Sequence, residues 1–144
     1  MTLSGLKVDV MPDDASILGF TNRWYARGIA TAIDCPLGKE IIIKILKPEF
    51  FLATKFEAYL GRGGGDLLGS RDLEDVLLIV DGREEIVDEV RRADADIRRF
   101  IAEQFRALLG KQEFDYFLEG NIRGPAGRVD LVGARITALC DGGA

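Results

Sequence analysis

The sequence lacks histidine altogether and contains only two cysteines, Cys35 and Cys140. Without an imidazole base, the Ser-His and Cys-His pairs that activate hydroxyl and thiol nucleophiles are excluded. Two thiols with no histidine also cannot supply the usual four ligands of a zinc site. With so few cysteines, we expect a reduced, cytoplasmic setting. Any acid–base chemistry must therefore use carboxylates, lysine or tyrosine.

Long apolar runs are also absent. A helix that spans a membrane needs about 20 mainly apolar residues in a row, and no stretch approaches that length. No basic head precedes an apolar run near the N-terminus, so we expect neither a secretion signal nor a membrane partner. The 19 basic and 24 acidic residues give a net charge of -5. That balance disfavours long tracks of nucleic acid on the surface but leaves room for a local basic patch.

The chain has 144 residues, of which 47% are hydrophobic, and this composition predicts a single domain with a core. Residues 1–46 favour strands. Residues 6–10 alternate between apolar and polar side chains, and the runs 29–34 and 39–46 flank a Cys-Pro-Leu-Gly turn that predicts a hairpin. The second run is apolar on both faces, which predicts an interior strand. We therefore predict an α+β fold, with a small mixed or antiparallel sheet of about three strands near the N-terminus and a helical part over residues 47–144.

The helical part begins with two helices whose ends are marked by local chemistry. Pro48 starts the first helix, Gly61 ends it, and Ser70 caps the second. Their apolar stripes, which we expect to face a core, consist of Leu52, Phe56, Tyr59 and Leu60 in the first helix and Leu73, Val76, Leu77 and Val80 in the second. Later helices are predicted to end near Gly110 and Gly120, and a last helix to cover residues 129–139.

A lysine and two acids occupy the first two helices. Lys55 lies nearly in register with Tyr59, and Asp72 and Asp75 stand three residues apart on one flank of the second helix. We expect these charged side chains and Arg62 to meet where the helices cross. Such a cluster would bind nucleotide phosphate, with the acids orienting the lysine or an incoming hydroxyl. The alternative interpretation is an interhelix salt bridge with acids at a helix start.

Two other segments also have a functional and a structural interpretation. The glycine-rich loop 61–70 would cradle phosphate through backbone N–H groups, or would only connect two helices, and it does not fit the P-loop spacing. The aromatic residues within 20–25, interleaved with Arg23 and followed by Arg27, would stack a base or pack in a core. Neither segment settles a function by itself.

The stretch from Phe51 to Arg83 resembles the AbiEii/AbiGii toxin type of nucleotidyltransferase, in which an Ala-x-Lys helix and an arginine precede an Arg-Asp-x-x-Asp helix. The matching residues are Ala53, Lys55, Arg62, Arg71, Asp72 and Asp75. The likeness extends back through residues 17–25 to residues 6–12, and so covers most of the chain up to Leu109. It implies a fold related to the nucleotidyltransferases.

The resemblance also assigns roles to residues. It implies Lys55, Asp72 and Asp75 as catalytic residues, and Lys55 and Arg62 as contacts to a nucleoside triphosphate (NTP). In that family a strand like residues 6–10 carries the third of three metal-binding carboxylates, which is Asp9 in this sequence. An active member would therefore use magnesium, with Asp9 among its ligands.

The N-terminal sequence departs from the pattern of that family. Its members place a Gly-Ser turn and an Asp-x-Asp strand before the third acid, whereas here only MTLSGLK and Val8 precede Asp9, without an acid pair. Two-metal transfer needs carboxylates that bridge both ions. We therefore expect a truncated or degenerate member, and whether it is an enzyme stays open.

The sequence supports two hypotheses of function. As a toxin-type nucleotidyltransferase, the chain would move a nucleoside monophosphate from Mg-NTP to RNA or protein, with an antitoxin as a further partner. As a non-catalytic remnant, it would be a binding or self-associating module. In that second case a homo-oligomer would cover the sheet edge and the apolar face that missing strands leave exposed.

Overall fold

The computed structural model of the protein describes residues 2–3, 6–7, 23–62 and 66–141. The strands of this described part are β1 (Thr2–Leu3), β2 (Leu6–Lys7), β3 (Ile33–Pro36) and β4 (Ile42–Ile45). Its helices are α1 (Tyr25–Ala30), α2 (Pro48–Gly61), α3 (Arg71–Gly82), α4 (Ile86–Arg91), α5 (Ala95–Leu109), α6 (Glu113–Asn121) and α7 (Arg128–Asp141). The predicted α+β class is confirmed. In these residues no helix is both long enough and apolar enough to cross a membrane.

The strands form two separate antiparallel hairpins. β1 pairs with β2, and β3 pairs with β4 so that Ile33 stands opposite Ile45. Gly38 in the second turn has a φ of 91°, a left-handed conformation that a Cβ would disfavour. The predicted hairpin at Cys-Pro-Leu-Gly is confirmed, but the expected sheet of about three strands is divided into two sheets of two strands each.

Strand β4 is exposed, so the prediction of an interior strand over residues 39–46 is wrong. Ile42 is 68% exposed and Ile45 is 44% exposed. β3 covers one edge of β4, and no other strand of the described chain pairs with it. Apolar side chains on both faces of this strand therefore do not indicate burial, since three of its four residues are exposed.

The predicted strand over residues 29–34 begins only at Ile33, because its first residues complete α1. α1 packs closely on α2 at the buried Gly28. A Cβ added at Gly28 would lie 3.0 Å from the Leu46 side chain and 3.4 Å from Phe50. This tertiary contact overrides the β propensity of the isoleucine and threonine in the run.

Helix α2 forms the centre of the core. It packs against α1, α3, α4 and α5, and Leu52, Ala53 and Phe56 on it are at most 1% exposed. The ring of Phe56 meets that of Phe105 edge to face at a centroid distance of 5.0 Å, an arrangement that aromatic quadrupoles favour. Leu60, predicted to face the core, is instead 45% exposed in the last turn of α2. The predicted stripe of α3 is confirmed, since all its members are buried: Leu73, Val76, Leu77 and Val80.

Helix α3 is fixed at both ends. At its start, Ser70 Oγ accepts a hydrogen bond from the Leu73 N–H at 3.2 Å, which satisfies one of the free donors of the first turn. At its end, Arg128 and Arg135 of α7 donate to the Asp81 carbonyl at 2.6 and 2.8 Å. Arginine at the negative end of a helix is favourable. The predicted Ser70 cap is confirmed, and α7 holds the other end of the same helix.

Arginines also attach α1 to α5. Arg27 donates to Asp96 at 2.5 Å and to Asp94 at 2.9 Å. The Arg23 guanidinium lies over the rings of Trp24 and Phe100, 4.7 and 4.5 Å from their centroids. These contacts hold α1 against α5 through charged groups and ring faces.

Replacing Phe56 by alanine should lower the free energy of unfolding by about 3–5 kcal/mol, because the lost ring leaves a cavity in the most densely packed part of the core. Leu60→Ala in the same helix is the matched control and should change it by less than about 1 kcal/mol. Urea denaturation followed by circular dichroism measures both. Equal losses for the two variants would contradict the assignment of α2 as the core helix.

The Arg27–Asp96 pair should make stability depend on pH. The hydrogen bond from Arg27 lowers the pKa of Asp96 below its ordinary value of 3.8. A carboxyl group whose pKa is lower in the folded state stabilises the fold above its unfolded pKa, and this contribution is lost as the pH falls through the lowered value. Between about pH 5 and 3, the wild-type Tm should therefore fall more steeply than that of Asp96→Asn. Parallel Tm curves would refute the link.

Candidate functional site

Lys55 of α2 and the two acids of α3 lie in one cluster. The Lys55 ammonium is 2.8 Å from the Asp75 carboxylate and 3.9 Å from that of Asp72. Arg62, directly after α2, donates from Nη1 to Asp72 Oδ2 at 2.8 Å. The structure thus brings together Lys55, Arg62, Asp72 and Asp75, as the sequence predicted. The predicted metal ligand Asp9 lies outside the described residues.

The packing of α2 against α3 positions the cluster. The Ser70 cap sets where α3 begins, so Asp72 falls in its first turn and Asp75 one residue beyond the acids of that turn. Both carboxylates face α2 because the apolar stripe of α3 packs there. The Lys55 ammonium also lies 5.7 Å from the centroid of the Phe51 ring, within range of a cation–π contact.

The side chains of the cluster range from buried to exposed. The side chain of Asp72 is 8% exposed, those of Lys55 and Asp75 are 17% exposed, and that of Arg62 is 58% exposed. Buried charges destabilise a fold unless opposite charges and hydrogen bonds compensate them. Here two cations balance two anions, which satisfies that requirement. Arg62 is the member of the cluster that a ligand reaches first.

Two open cavities share Asp66, and the first of them borders the cluster at Arg62 and Asp72. The first has a volume of about 280 Å³ and is lined by Tyr59, Arg62, Asp66, Gly69, Ser70, Arg71 and Asp72. The second has a volume of about 330 Å³ and is lined by Asp66, Leu67, Leu68, Lys111 and Glu113. These volumes are close to the lower end of small-molecule sites, about 300–1,000 Å³. Arg62 and Arg71 thus face one cavity, and Lys111 faces the other.

The described residues do not by themselves fit a magnesium site. Within residues 23–62 and 66–141, no group of three or more acids or cysteines lies close enough to hold a metal ion. Asp72 and Asp75 already face Lys55 and Arg62, whereas Mg²⁺ is held by oxygen ligands free to donate to it. No step of the chemistry proposed below passes through a metal that these residues hold.

Of the aromatic group near the N-terminus, Trp24 packs in the core, and Phe20 lies outside the described residues. Trp24 is 4% exposed, and its ring lies 5.3 Å from that of Phe100 at an interplanar angle of 39°. A base has no access to a ring that is covered in this way, so the structural interpretation holds for Trp24. Of the glycine-rich loop, residues 63–65 lie outside the described part, and residues 66–69 form a turn in which Asp66 Oδ1 accepts from the Gly69 N–H at 3.1 Å.

Neither cysteine adds a nucleophile to the site. Burial raises the pKa of the Cys140 thiol, despite the nearby Arg106, and the reactive form of cysteine is the thiolate. Cys35 lies in β3, in the hairpin rather than at the cavities. The chemistry-bearing groups that line the site are therefore arginine, lysine, tyrosine, serine and carboxylate side chains.

Comparisons with known proteins do not assign the chain to a family. Protein-family models, curated proteins and solved structures were searched, and no match was found. The resemblance to the AbiEii/AbiGii nucleotidyltransferases rests on the motif residues alone, and the activity that it implies stays a prediction.

The sequence alone does not indicate that Tyr59 and Lys111 line the cavities. Tyr59 was assigned only to the core stripe, although it lines the first cavity. Lys111 carries no local signal, because its ammonium reaches the Tyr59 hydroxyl, at 3.5 Å, across 52 positions of the sequence. Only the tertiary packing of α5 and α6 against α2 and α3 reveals that it belongs here.

Asp75→Ala should destabilise the protein by about 1–3 kcal/mol, because Lys55 would keep only the longer contact to Asp72 inside a mostly buried cluster. The double variant Lys55→Met, Asp75→Leu should recover most of that loss, since it removes both charges together. Asp34→Asn, which removes the exposed pair with Lys44 at 4.0 Å, is the control and should cost at most about 1 kcal/mol. Strict additivity of the Lys55 and Asp75 effects in denaturation experiments would show that the pair is not coupled.

Proposed function

We propose that the chain is a nucleotidyltransferase-like protein that binds a nucleoside triphosphate beside the α2–α3 contact. The observation that carries this proposal is the convergence of Lys55, Arg62, Asp72 and Asp75 at the edge of a cavity. Together with Arg71, these residues match the charged positions of the stretch from Phe51 to Arg83 that resembles the AbiEii/AbiGii type. A salt bridge alone would need neither the exposed second cation nor the adjoining cavity.

The exposed end of the cluster would bind phosphate. Arg62 keeps 58% of its side chain accessible while Asp72 fixes its orientation, and Arg71 lines the same cavity. A guanidinium offers several N–H donors in a planar fork that fits phosphate oxygens. Arginine held in this way is preorganised, so less conformational entropy is lost on binding.

The buried part of the cluster would position these contacts. Asp75 and Asp72 hold Lys55 between α2 and α3, and Asp72 also lines the first cavity. In the transfer reaction, an acceptor hydroxyl of RNA or protein attacks the α-phosphorus and the bond to the β-phosphate oxygen breaks. Pyrophosphate leaves and the hydroxyl proton passes to water. Lys55 and Arg62 would offset the charge that develops on the phosphate oxygens.

Magnesium enters this proposal with the substrate, as the Mg-NTP complex. Asp9, which the resemblance makes a metal ligand, would be the protein contact to it. The proposed role of an antitoxin as a further partner rests on the same resemblance. The described residues supply phosphate contacts, and these are the part of the proposal that binding experiments address directly.

Arg62→Gln should weaken nucleotide binding about tenfold, because it removes one charge-assisted contact to phosphate. Calorimetry with ATP, CTP, GTP or UTP in the presence of magnesium measures the Kd, and labelled nucleotide with RNA measures transfer. Arg83→Gln is the control: Arg83 is 49% exposed and also pairs with an acid at 2.8 Å, but away from the cavities. It should leave the Kd unchanged.

The possible outcomes separate the two hypotheses of function. If no nucleotide binds and no label is transferred, the nucleotidyltransferase-like proposal is refuted. If nucleotide binds through Arg62 but no label is transferred, the chain is a non-catalytic nucleotide-binding module of the same fold.

A second candidate function is self-association, and the exposed hairpin supports it. Five isoleucines in the hairpin and directly beside it are between 44% and 68% exposed: Ile29, Ile33, Ile41, Ile42 and Ile45. Exposed apolar patches of this kind mark interaction surfaces. Strand β4 has no partner on one edge within the described residues, so a second copy could pair there antiparallel about a two-fold axis. We propose a second copy of this chain as the partner, because two copies of β4 related by a two-fold axis would pair with each other along the same edge.

Ile42→Lys should convert a dimer into a monomer of 15.8 kDa, because it places a charge on the apolar surface of the hairpin. Leu78→Lys is the matched control, since Leu78 is also 68% exposed but lies on α3. Light scattering coupled to size-exclusion chromatography gives the masses. A wild-type monomer at all concentrations tested would remove this candidate.

A further inference from the structure

We propose that Lys111 is an additional phosphate-binding residue of the nucleotide site and that the site recognises a chain of linked phosphates. This inference rests on the proposed function and deepens it. The family motif ends well before Lys111, which lies in the turn between α5 and α6. Its position in space, rather than in the sequence, makes it part of the site.

Lys111 lies at the junction of the two cavities. It lines the second cavity, while its ammonium is 3.5 Å from the hydroxyl of Tyr59, which lines the first. No carboxylate of the described residues forms a salt bridge with this ammonium. Glu113 and Asp66 line the same cavity as Lys111, but within the described residues neither forms an ion pair with its ammonium, so the charge of Lys111 is available to an anionic ligand.

The cations are divided between the two cavities in a way that favours an extended anion. Arg62 and Arg71 face the first cavity and Lys111 the second, and Asp66 lies at the wall between them. The Asp66 carboxylate is engaged by the Gly69 N–H at 3.1 Å. We infer that a single phosphate contacts one group of cations and that a triphosphate spans both. Lys111 should therefore contribute to binding of a triphosphate and hardly at all to binding of a monophosphate.

A purely structural role for Lys111 makes a different prediction. The ammonium lies 6.0 Å from the centroid of the Tyr59 ring, and long side chains often cover aromatic surface with their apolar stems. If packing were its only role, methionine, which has a similar length and no charge, would replace lysine without effect on binding. Lys111→Met and Lys111→Arg therefore separate charge from packing.

Calorimetry with inorganic tripolyphosphate, with each nucleoside triphosphate and with the corresponding monophosphates tests the inference. Lys111→Met should weaken binding of tripolyphosphate and of the triphosphate about tenfold, and binding of the monophosphate less than about twofold. Lys111→Arg should retain the wild-type values. Lys39→Met removes the same charge at the exposed hairpin turn and should change none of them. An unchanged Tm for Lys111→Met confirms that the fold is intact.

The failures of this inference and of the proposed function are distinguishable. If triphosphate binds equally well to wild type and Lys111→Met, the role of Lys111 is refuted and the proposed function stands. If Lys111→Met weakens monophosphate and triphosphate by the same factor, recognition of a phosphate chain is refuted. If neither tripolyphosphate nor any nucleotide binds to the wild type, both proposals fail. Binding of tripolyphosphate without any nucleotide supports the phosphate site and refutes the nucleotide function.

Discussion

The ion pairs between α2 and α3 constrain the rest of the structure. Lys55 sits in the helix that forms the centre of the core, where a charge without a partner would be strongly unfavourable. Asp75 and Asp72 compensate it only when α3 has its observed register, since a shift by one turn, about 5.4 Å, would move both acids away. Nonspecific apolar packing would tolerate several registers. The charges therefore select one of them, a role that buried polar groups have in other folds.

This constraint also connects the fold to the proposed chemistry. Asp72 forms ion pairs with both the mostly buried Lys55 and the exposed Arg62, and it thereby holds Arg62 at the cavity. An arginine on a chain segment that follows a helix end would otherwise sample many rotamers. The pair limits that freedom before any ligand arrives, and a preorganised cation binds phosphate with a smaller entropic loss. Stability and ligand contact are thus supplied by one set of interactions.

Local chemistry in the sequence was sufficient to predict α2, α3 and much of the site. Pro48, Gly61 and Ser70 mark the ends of α2 and α3, and a short connection makes such helices neighbours, so Lys55 and Asp75 could be expected to meet. Apolar periodicity could not predict which side chains are covered. It identifies the isoleucines of β4 but not the absence of a layer over them. The sequence also could not predict that Lys111 and Tyr59 belong to the site, because this depends on packing between helices that are distant in the sequence.

The arginines that α7 contributes to the end of α3 have a consequence for sequence variation. Arg128 and Arg135 donate to carbonyl groups in the last turn of α3, which the helix itself leaves free. The acids of the cluster, Asp72 and Asp75, lie near the other end of α3. Substitutions in the C-terminal helix can therefore alter the angle and axial position of α3 without touching any cavity residue. In homologous chains, we expect substitutions at Arg128 and Arg135 to occur together with substitutions at Asp72 and Asp75. Substitutions at the surface residues of α3 should show no such association.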